Sequence, residues 1–289
     1  MALYTALLNR HLERVEQALN EQLPPGDGIA AIMRYACEGG GKRIRPVLLL
    51  EYCRLCGGNL ETALPFAVAV ECIHSYSLVH DDLPCMDNSL LRRGKPSAHA
   101  QYGETMALLA GDALLNYAFE RMLSADGVEP ATALAAARAL ADHAGMYGMI
   151  GGQVLDLESE GKTIDADTLK RLQEGKTAAL LVAACRMGAI LGGGRKAQVD
   201  AAGEYGYYVG LAFQVVDDIL DVTATPEQLG KPVGSDNQHQ KNTYVSLLGL
   251  EKAKELAAAY TAKAVAALDV FGERDELVKL AKALLTREK

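Results

Sequence analysis

The sequence contains no tryptophan, and aromatic residues make up only 6% of its 289 positions. Basic residues are also outnumbered, since 29 lysines and arginines stand against 37 aspartates and glutamates. The resulting net charge of -8 argues against a nucleic-acid-binding protein or a polybasic membrane patch. The chain is nevertheless 49% hydrophobic and long enough to bury a large core.

Long apolar runs are missing as well. Segments such as 178–185 are far shorter than the roughly 20 residues that a membrane-spanning helix needs, so no membrane insertion is predicted. Charged residues such as Arg10, Glu13 and Arg14 stand where the apolar part of a signal peptide would lie. We therefore expect a cytoplasmic protein.

The six cysteines do not indicate a metal site. Cys53 and Cys56 form a CxxC pair, but neither a second cysteine pair nor a histidine pair completes four zinc ligands. A GxxxxGK[ST] loop is also lacking, so the sequence does not indicate a P-loop nucleotide enzyme. We expect reduced, structural cysteines.

Apolar residues recur at helical spacing along the chain, and no segment alternates convincingly as a strand would. The predicted fold is all-α, a single-domain helical bundle over 1–289 around a central apolar cavity. Predicted helices cover 2–22, 29–38, 47–56, 65–80, 103–123, 131–158, 165–191 (one helix or two), 196–221, 243–268 and 273–286. Loops are expected at 89–97, which is basic, and at 223–242, which is polar.

Three carboxylates stand within seven positions, at Asp81, Asp82 and Asp87, after the apolar run 73–79. A straight helix would place Asp81 and Asp87 on different faces, but Pro84 disfavours helical geometry at the residue before it. We predict that the helix ends near Asp82 and that the bend returns Asp87 towards the ion that Asp81 binds.

A second acidic cluster, Asp217, Asp218 and Asp221, follows the apolar run 209–216. Asp217 and Asp221 are four apart and share a helix face, where like charges repel unless a cation lies between them. Carboxylate oxygens are the ligands that magnesium prefers. A solvated acidic helix end would explain one such cluster, but two clusters after apolar runs favour metal binding.

Basic residues follow both clusters, at Arg92, Arg93 and Lys95 after the first and at Lys231 and Lys241 after the second. Carboxylate-bound magnesium together with arginine and lysine suits a substrate with several negative oxygens, and a diphosphate fits best. Because the helices leading to both clusters are apolar, the rest of the pocket should be apolar too. The sequence therefore predicts a lipid diphosphate as substrate.

The chain resembles the trans-isoprenyl diphosphate synthase family, and within it the bacterial farnesyl diphosphate synthases, from about residue 40 to residue 244. Six segments carry this resemblance in the family's order: 40–46 (GGKRIRP), 71–84 (ECIHSYSLVHDDLP), 91–96 (LRRGKP), 176–177 (KT), 213–221 (FQVVDDILD) and 230–236 (GKPVGSD). The resemblance implies the isoprenoid synthase fold, a homodimer and prenyl diphosphate substrates.

The resemblance also implies roles for individual residues. Magnesium ions, three in number and with Mn²⁺ as the alternative metal, would be held by Asp81, Asp82, Asp87, Asp217, Asp221 and Asp236, with support from Asp218. The allylic diphosphate would be bound by Arg92, Lys176, Gln214 and Lys231, and isopentenyl diphosphate by Lys42, Arg45, His74 and Arg93. Thr177 would lie near the forming cation, and Lys241 in a segment that closes the site. The predicted catalytic residues are Asp81, Asp82, Asp87, Asp217, Asp218, Lys176 and Thr177.

The implied reaction joins isopentenyl diphosphate to dimethylallyl or geranyl diphosphate and yields farnesyl diphosphate. Tyr76, five residues before Asp81 and about 7.5 Å deeper along a helix axis, would floor the pocket and stop growth at fifteen carbons. Ordinary core packing explains Tyr76 equally well. Arg43 is expected to be solvated, because on any regular path it points away from Lys42 and Arg45.

Alternative functions remain open at this point. A geranylgeranyl or geranyl diphosphate synthase of the same family differs only in product length. A class I terpene cyclase shares the metal-assisted ionisation but needs no second diphosphate site. A non-catalytic subunit of a prenyl synthase tends to lose the acidic clusters, and both are intact here.

Overall fold

The computed structural model describes residues 3–223 and 242–287, and most of them are helical, which confirms the all-α prediction. The helices are α1 (Ala6–Gln22), α2 (Ile29–Glu38), α3 (Ile44–Leu55), α4 (Leu60–Asp81), α5 (Ala98–Tyr102), α6 (Glu104–Leu123), α7 (Pro130–Ala144), α8 (Met149–Ser159), α9 (Ala166–Gln173), α10 (Ala179–Leu191), α11 (Lys196–Thr223), α12 (Tyr244–Leu248), α13 (Leu250–Ala267) and α14 (Asp275–Leu285). A π turn, Glu174–Ala178, joins α9 to α10, and a 3-10 turn, Leu268–Val270, follows α13.

Helix α4 lies at the centre of the core and carries the first acidic cluster at its C-terminal end. It packs against α6, α3 and α1, and side chains such as Phe66, Val70 and Ile73 are fully buried. Among the described residues, it is the one helix that by length and composition could cross a membrane. However, 67% of its most apolar stretch is buried inside the fold. Its hydrophobicity is therefore accounted for by its place in the core.

The alanine-rich segment predicted as one helix over 131–158 is two helices. The chain breaks between α7 and α8 at 145–148, where glycines stand at both ends of the break and weaken helical geometry. Gly152, another glycine of this segment, lies inside α8. A Cβ atom there would fall 2.0 Å from the backbone nitrogen of Lys176, so the glycine lets α8 touch the π turn.

The basic segment 89–97, predicted as a loop, contains a two-residue hairpin. Strands β1 (Leu91–Arg92) and β2 (Lys95–Pro96) pair antiparallel. Their turn residues, Arg93 and Gly94, both have positive φ, 53° and 75°, as a tight hairpin turn requires. The hairpin places Arg92 and Arg93 beside the end of α4.

Candidate active site

A cavity of about 790 Å³ is enclosed by the segment before α3, by α4 and α8, by the π turn and by α11. It brings together nine predicted site residues: Lys42, Arg45, His74, Tyr76, Asp81, Arg93, Lys176, Thr177 and Gln214. Apolar side chains form much of the remaining wall: Leu115, Met149, Ile150, Val154, Leu157 and Phe213. The predicted combination of charged groups and an apolar interior is present.

The first acidic cluster has the predicted bend. Helix α4 ends at Asp81, and the backbone N–H of Asp87 then donates to the carbonyl of Asp81 at 2.9 Å. The side-chain amide of Gln153 on α8 donates to the Asp81 carboxylate at 2.6 Å. Asp81 lines the cavity, and Asp87 is exposed outside it.

Asp82 is only 2% exposed and does not line the cavity. Its carboxylate accepts from Nε of Arg92 at 3.1 Å. Burial favours a lower pKa for Arg92, but the hydrogen bonds to Asp82 and the charges of Asp81 and Asp87 outweigh burial and raise it. The predicted role of Asp82 as a metal ligand therefore requires that Arg92 release it.

The π turn presents Lys176 and Thr177 to the cavity. Nζ of Lys176 lies 2.6 Å from the carboxylate of Asp156, one turn after Gln153 on α8. Burial alone would lower the Lys176 pKa, but the charges of Asp156 and Asp81 raise it, so the amine is protonated at neutral pH. Short π segments within helices often mark functional sites.

Gln153 and Asp156 were not among the predicted residues. They are three apart, so one face of α8 orients both Asp81 and Lys176. The sequence contained one indication of this role, because the two polar residues are three apart in a mostly apolar helix and directly follow a glycine pair.

The second acidic cluster is held by contacts within the protein. Asp217 lies 2.6 Å from the guanidinium of Arg287, which covers the Phe213 ring at 3.8 Å from its centroid. Asp218 is buried and accepts from the backbone N–H of Tyr244 at 2.8 Å. Asp221 is also buried, at 3% exposure, and neither it nor Asp218 lines the cavity.

A chain of polar contacts links this cluster to the π turn. The amide nitrogen of Gln214 donates to the carboxylate of Asp218 at 3.3 Å. The hydroxyl of Thr177 donates to the amide oxygen of Gln214, also at 3.3 Å. Three predicted residues from two parts of the sequence, the π turn and α11, are therefore in one network. The predicted residues Lys231, Asp236 and Lys241 lie outside the described residues.

Lys42, Arg45, His74 and Arg93, here called the basic group, all line the cavity. Burial lowers the pKa of Arg45 to about 10, which leaves it charged at neutral pH. Burial and the positive charges of Arg45 and Arg93 lower the pKa of His74 well below its usual range, so this imidazole is neutral. The basic group thus combines three cations with one neutral donor.

The prediction that Arg43 is solvated is wrong. Its side chain is fully buried and forms ion pairs with Glu71 at 2.6 Å and Glu16 at 2.8 Å. The prediction assumed a regular backbone path, whereas Arg43 has the left-handed φ of 49° that turns its side chain inward.

Tyr76 lines the cavity and is 5% exposed. Its ring packs edge-on against His80 at 5.7 Å between centroids, and burial raises its pKa. Within the described parts of the chain its hydroxyl has no hydrogen-bond partner. The ring is therefore both core packing and part of the cavity wall.

Comparison with known proteins identifies the family. A polyprenyl synthetase family model matches residues 27–278. A chloroplastic geranylgeranyl pyrophosphate synthase from Capsicum annuum is 50% identical over 244 residues, which are 84% of this chain and 66% of that protein, just under two thirds of its length. The farnesyl diphosphate synthase of Geobacillus stearothermophilus is 45% identical over 256 residues, 87% of this chain and 86% of that protein.

A solved structure extends the match to three dimensions. The crystal structure of a geranyltransferase from Helicobacter pylori, complexed with magnesium and isoprenyl diphosphate, matches with a TM-score of 0.82 and 34% identity. The match covers 99% of this chain and 97% of that one. The resemblance drawn from the six sequence segments is confirmed, and the chain belongs to the polyprenyl synthetase family.

Proposed function

We propose that the protein is a prenyltransferase that joins isopentenyl diphosphate to dimethylallyl or geranyl diphosphate, with farnesyl diphosphate as final product. The observation that carries this proposal is the cavity itself, where the basic group, Asp81 and Lys176 surround an apolar interior. Two sets of charged groups suit two diphosphates, and the apolar wall suits the hydrocarbon chains between them.

The acidic clusters fit magnesium by their chemistry, since every donor is a carboxylate oxygen. No group of three His, Cys, Asp or Glu side chains in 3–223 and 242–287 is close enough to hold a metal alone. Magnesium usually keeps waters and binds one or two carboxylates together with substrate phosphates, which matches such an incomplete set. Asp81 with Asp87 would hold one ion and Asp217 another, and the bound metal would neutralise charge on the departing diphosphate.

The residues of the chain support the remaining steps. Lys176 and Arg92 donate to the allylic diphosphate as its C–O bond breaks and the bonding electrons leave with diphosphate. The double bond of isopentenyl diphosphate, bound by the basic group, attacks the resulting allylic cation and forms the new C–C bond. Loss of a proton to the released diphosphate restores a double bond. The apolar wall excludes water that would otherwise capture the cation.

The proposal of a fifteen-carbon product depends on Tyr76, because the named relatives include both geranylgeranyl and farnesyl synthases. We expect Tyr76→Ala to lengthen the product to twenty carbons or more, since it removes a buried ring from the cavity wall. Chromatography of the dephosphorylated products measures this, with Tyr102→Ala, whose side chain lies outside the cavity, as control. An unchanged product length would remove Tyr76 as the floor.

A product assay with isopentenyl diphosphate, dimethylallyl diphosphate and magnesium tests the proposal as a whole. A fifteen-carbon product supports it. A twenty-carbon product keeps the chemistry and supports a geranylgeranyl diphosphate synthase, the second candidate, which the 50% identity to the pepper protein favours. Absence of condensation, with or without a cyclic hydrocarbon, contradicts prenyl elongation.

The neutral state of His74 leads to a further prediction. A neutral imidazole offers one N–H donor, and a glutamine amide offers an equivalent donor without charge. We expect His74→Gln to keep the KM for isopentenyl diphosphate within about threefold, and His74→Leu to raise it about tenfold, as loss of a hydrogen bond to a charged group implies. Equal losses in both variants, measured by steady-state kinetics at pH 7.5, would show that His74 acts through its charge.

A homodimer is also proposed. Apolar side chains on α6, α7 and α8 are exposed, among them Leu109 at 47%, Leu134 at 64% and Val154 at 49%. A second copy that packs against these helices would bury such side chains, and Val154 also lines the cavity. Sedimentation equilibrium of the purified protein tests this assignment, and a monomer mass at micromolar concentration would refute it.

A further inference from the structure

We infer that Arg43 is a positioning residue for the basic group, which holds the segment 39–45 so that Lys42 and Arg45 face the cavity. The inference rests on the proposed function, because it takes the basic group to be the isopentenyl diphosphate site. Arg43 itself is not available to a diphosphate, since its side chain is fully buried and bonded within the protein.

Arg43 connects three helices through its guanidinium. Nη1 donates to Glu71 of α4 at 2.6 Å, Nε donates to Glu16 of α1 at 2.8 Å, and Nη2 donates to the carbonyl of Cys37 on α2 at 2.5 Å. The guanidinium of arginine spreads its donors over three nitrogens, whereas the three donors of a lysine share one nitrogen, so arginine reaches partners that lie farther apart. The first residue of α3 follows Arg43, so these contacts determine where α3 begins.

The backbone of the segment has few contacts of its own that would determine its path. Gly40, Gly41 and Arg43 all have positive φ, at 82°, 130° and 49°, and residues 39–43 belong to no helix or strand. A Cβ atom on Gly41 would lie 2.8 Å from Cζ of Arg93, and Arg93 also donates to the carbonyl of Gly40. The position of this segment therefore affects Arg93 as well as Lys42 and Arg45.

Glu71 explains why the loss of Arg43 would disturb binding. Its carboxylate is 1% exposed, lines the cavity and has one oxygen without a hydrogen-bond partner among the described residues. Glu71 already interacts electrostatically with Arg45. Without Arg43 both carboxylate oxygens would lack a partner, and Glu71 would compete with a diphosphate for Arg45.

The test is the KM of each substrate in Arg43→Gln. We expect the KM for isopentenyl diphosphate to rise about 10- to 100-fold, the change expected for loss of a charged contact or two. The KM for dimethylallyl diphosphate should stay within about threefold, because the allylic groups lie on other elements. Arg54→Gln is the matched control, since Arg54 also lies on this part of the chain and bonds two glutamates, but outside the cavity.

The double variant Arg43→Gln/Glu71→Gln distinguishes positioning from general destabilisation. Replacing the Glu71 carboxylate with a neutral amide should release Arg45 to the diphosphate. The KM for isopentenyl diphosphate should then recover at least about half of its increase, measured on a logarithmic scale. Arg43→Lys should fall between wild type and Arg43→Gln. Equal changes in both KM values, no change in either, or no recovery in the double variant would overturn the inference.

Two further measurements keep the result decisive. If Arg43→Gln does not fold, Glu16→Gln removes only the half-exposed partner and should raise the isopentenyl diphosphate KM about threefold; no rise would overturn the inference.

If the wild type does not condense prenyl diphosphates, the proposed function fails, whereas calorimetric titration of inorganic pyrophosphate in EDTA still tests Arg43. Weaker pyrophosphate binding in Arg43→Gln supports the inference, and equal binding refutes it.

Discussion

Asp81→Asn is expected to lower turnover by at least about a thousandfold while the fold remains intact. Asp81 is the carboxylate of the first cluster that lines the cavity, and metal-assisted charge stabilisation there is worth several kcal/mol, with about 1.4 kcal/mol for each factor of ten. Asp217→Asn should have an effect of similar size, because Asp217 belongs to the second cluster. Single-turnover kinetics at saturating magnesium and substrate measure the loss.

Asp126→Asn is the control for both variants, since Asp126 is an exposed carboxylate in the turn after α6. Thermal unfolding should show that Asp81→Asn is not destabilised, because its contact with Gln153 is compatible with an asparagine oxygen. Near-normal turnover of both cluster variants would refute the assignment of the aspartates to magnesium.

Lys176→Gln is expected to lower turnover about 100- to 1,000-fold, the usual effect of removing one preorganised donor to a developing negative charge. Its pKa is raised by Asp156 and Asp81, so the amine is charged before any substrate arrives. Asp156→Asn should also lower turnover, but by less. Lys176 keeps its charge in this variant and loses only the charged partner that holds its ammonium group at 2.6 Å.

Lys196→Gln serves as the control for Lys176→Gln because its ammonium group is 88% exposed and pairs with Asp200 away from the cavity. The two variants should be compared by the rate at which the allylic diphosphate is consumed in a quenched single turnover, which is insensitive to product dissociation. Turnover of Lys176→Gln within about threefold of wild type would exclude Lys176 from the ionisation step.

The acidic clusters could be predicted from sequence because their geometry is local. A proline lies between Asp81 and Asp87, and proline disfavours helical geometry at the residue before it. The bend could therefore be predicted, and the structure contains it. The partners of these carboxylates come from elsewhere. Gln153 lies 72 positions after Asp81, and Arg287 lies 70 positions after Asp217, so only the packed structure brings them together.

The errors have local causes as well. Helical spacing predicts a helix through 131–158, but it does not report that glycines at 145 and 148 end one helix and begin another. Regular spacing also predicts that the Arg43 side chain points outward. The left-handed conformation of Arg43 is uncommon for residues other than glycine, and the spacing of apolar residues does not indicate it. Both features lie next to the cavity, which Met149 and the residues around Arg43 line.

The π turn at Glu174–Ala178 makes the spacing between α9 and α10 sensitive to a single residue. A π turn holds about one residue more than an α turn, so deleting Gly175 would join α9 and α10 into one regular helix. The five residues of the π turn rotate the chain by about the same angle as four α-helical residues, so α9 and α10 would keep their present faces after the deletion. The residues that would move are Lys176 and Thr177, because the deletion removes the wide turn that presents them to the cavity.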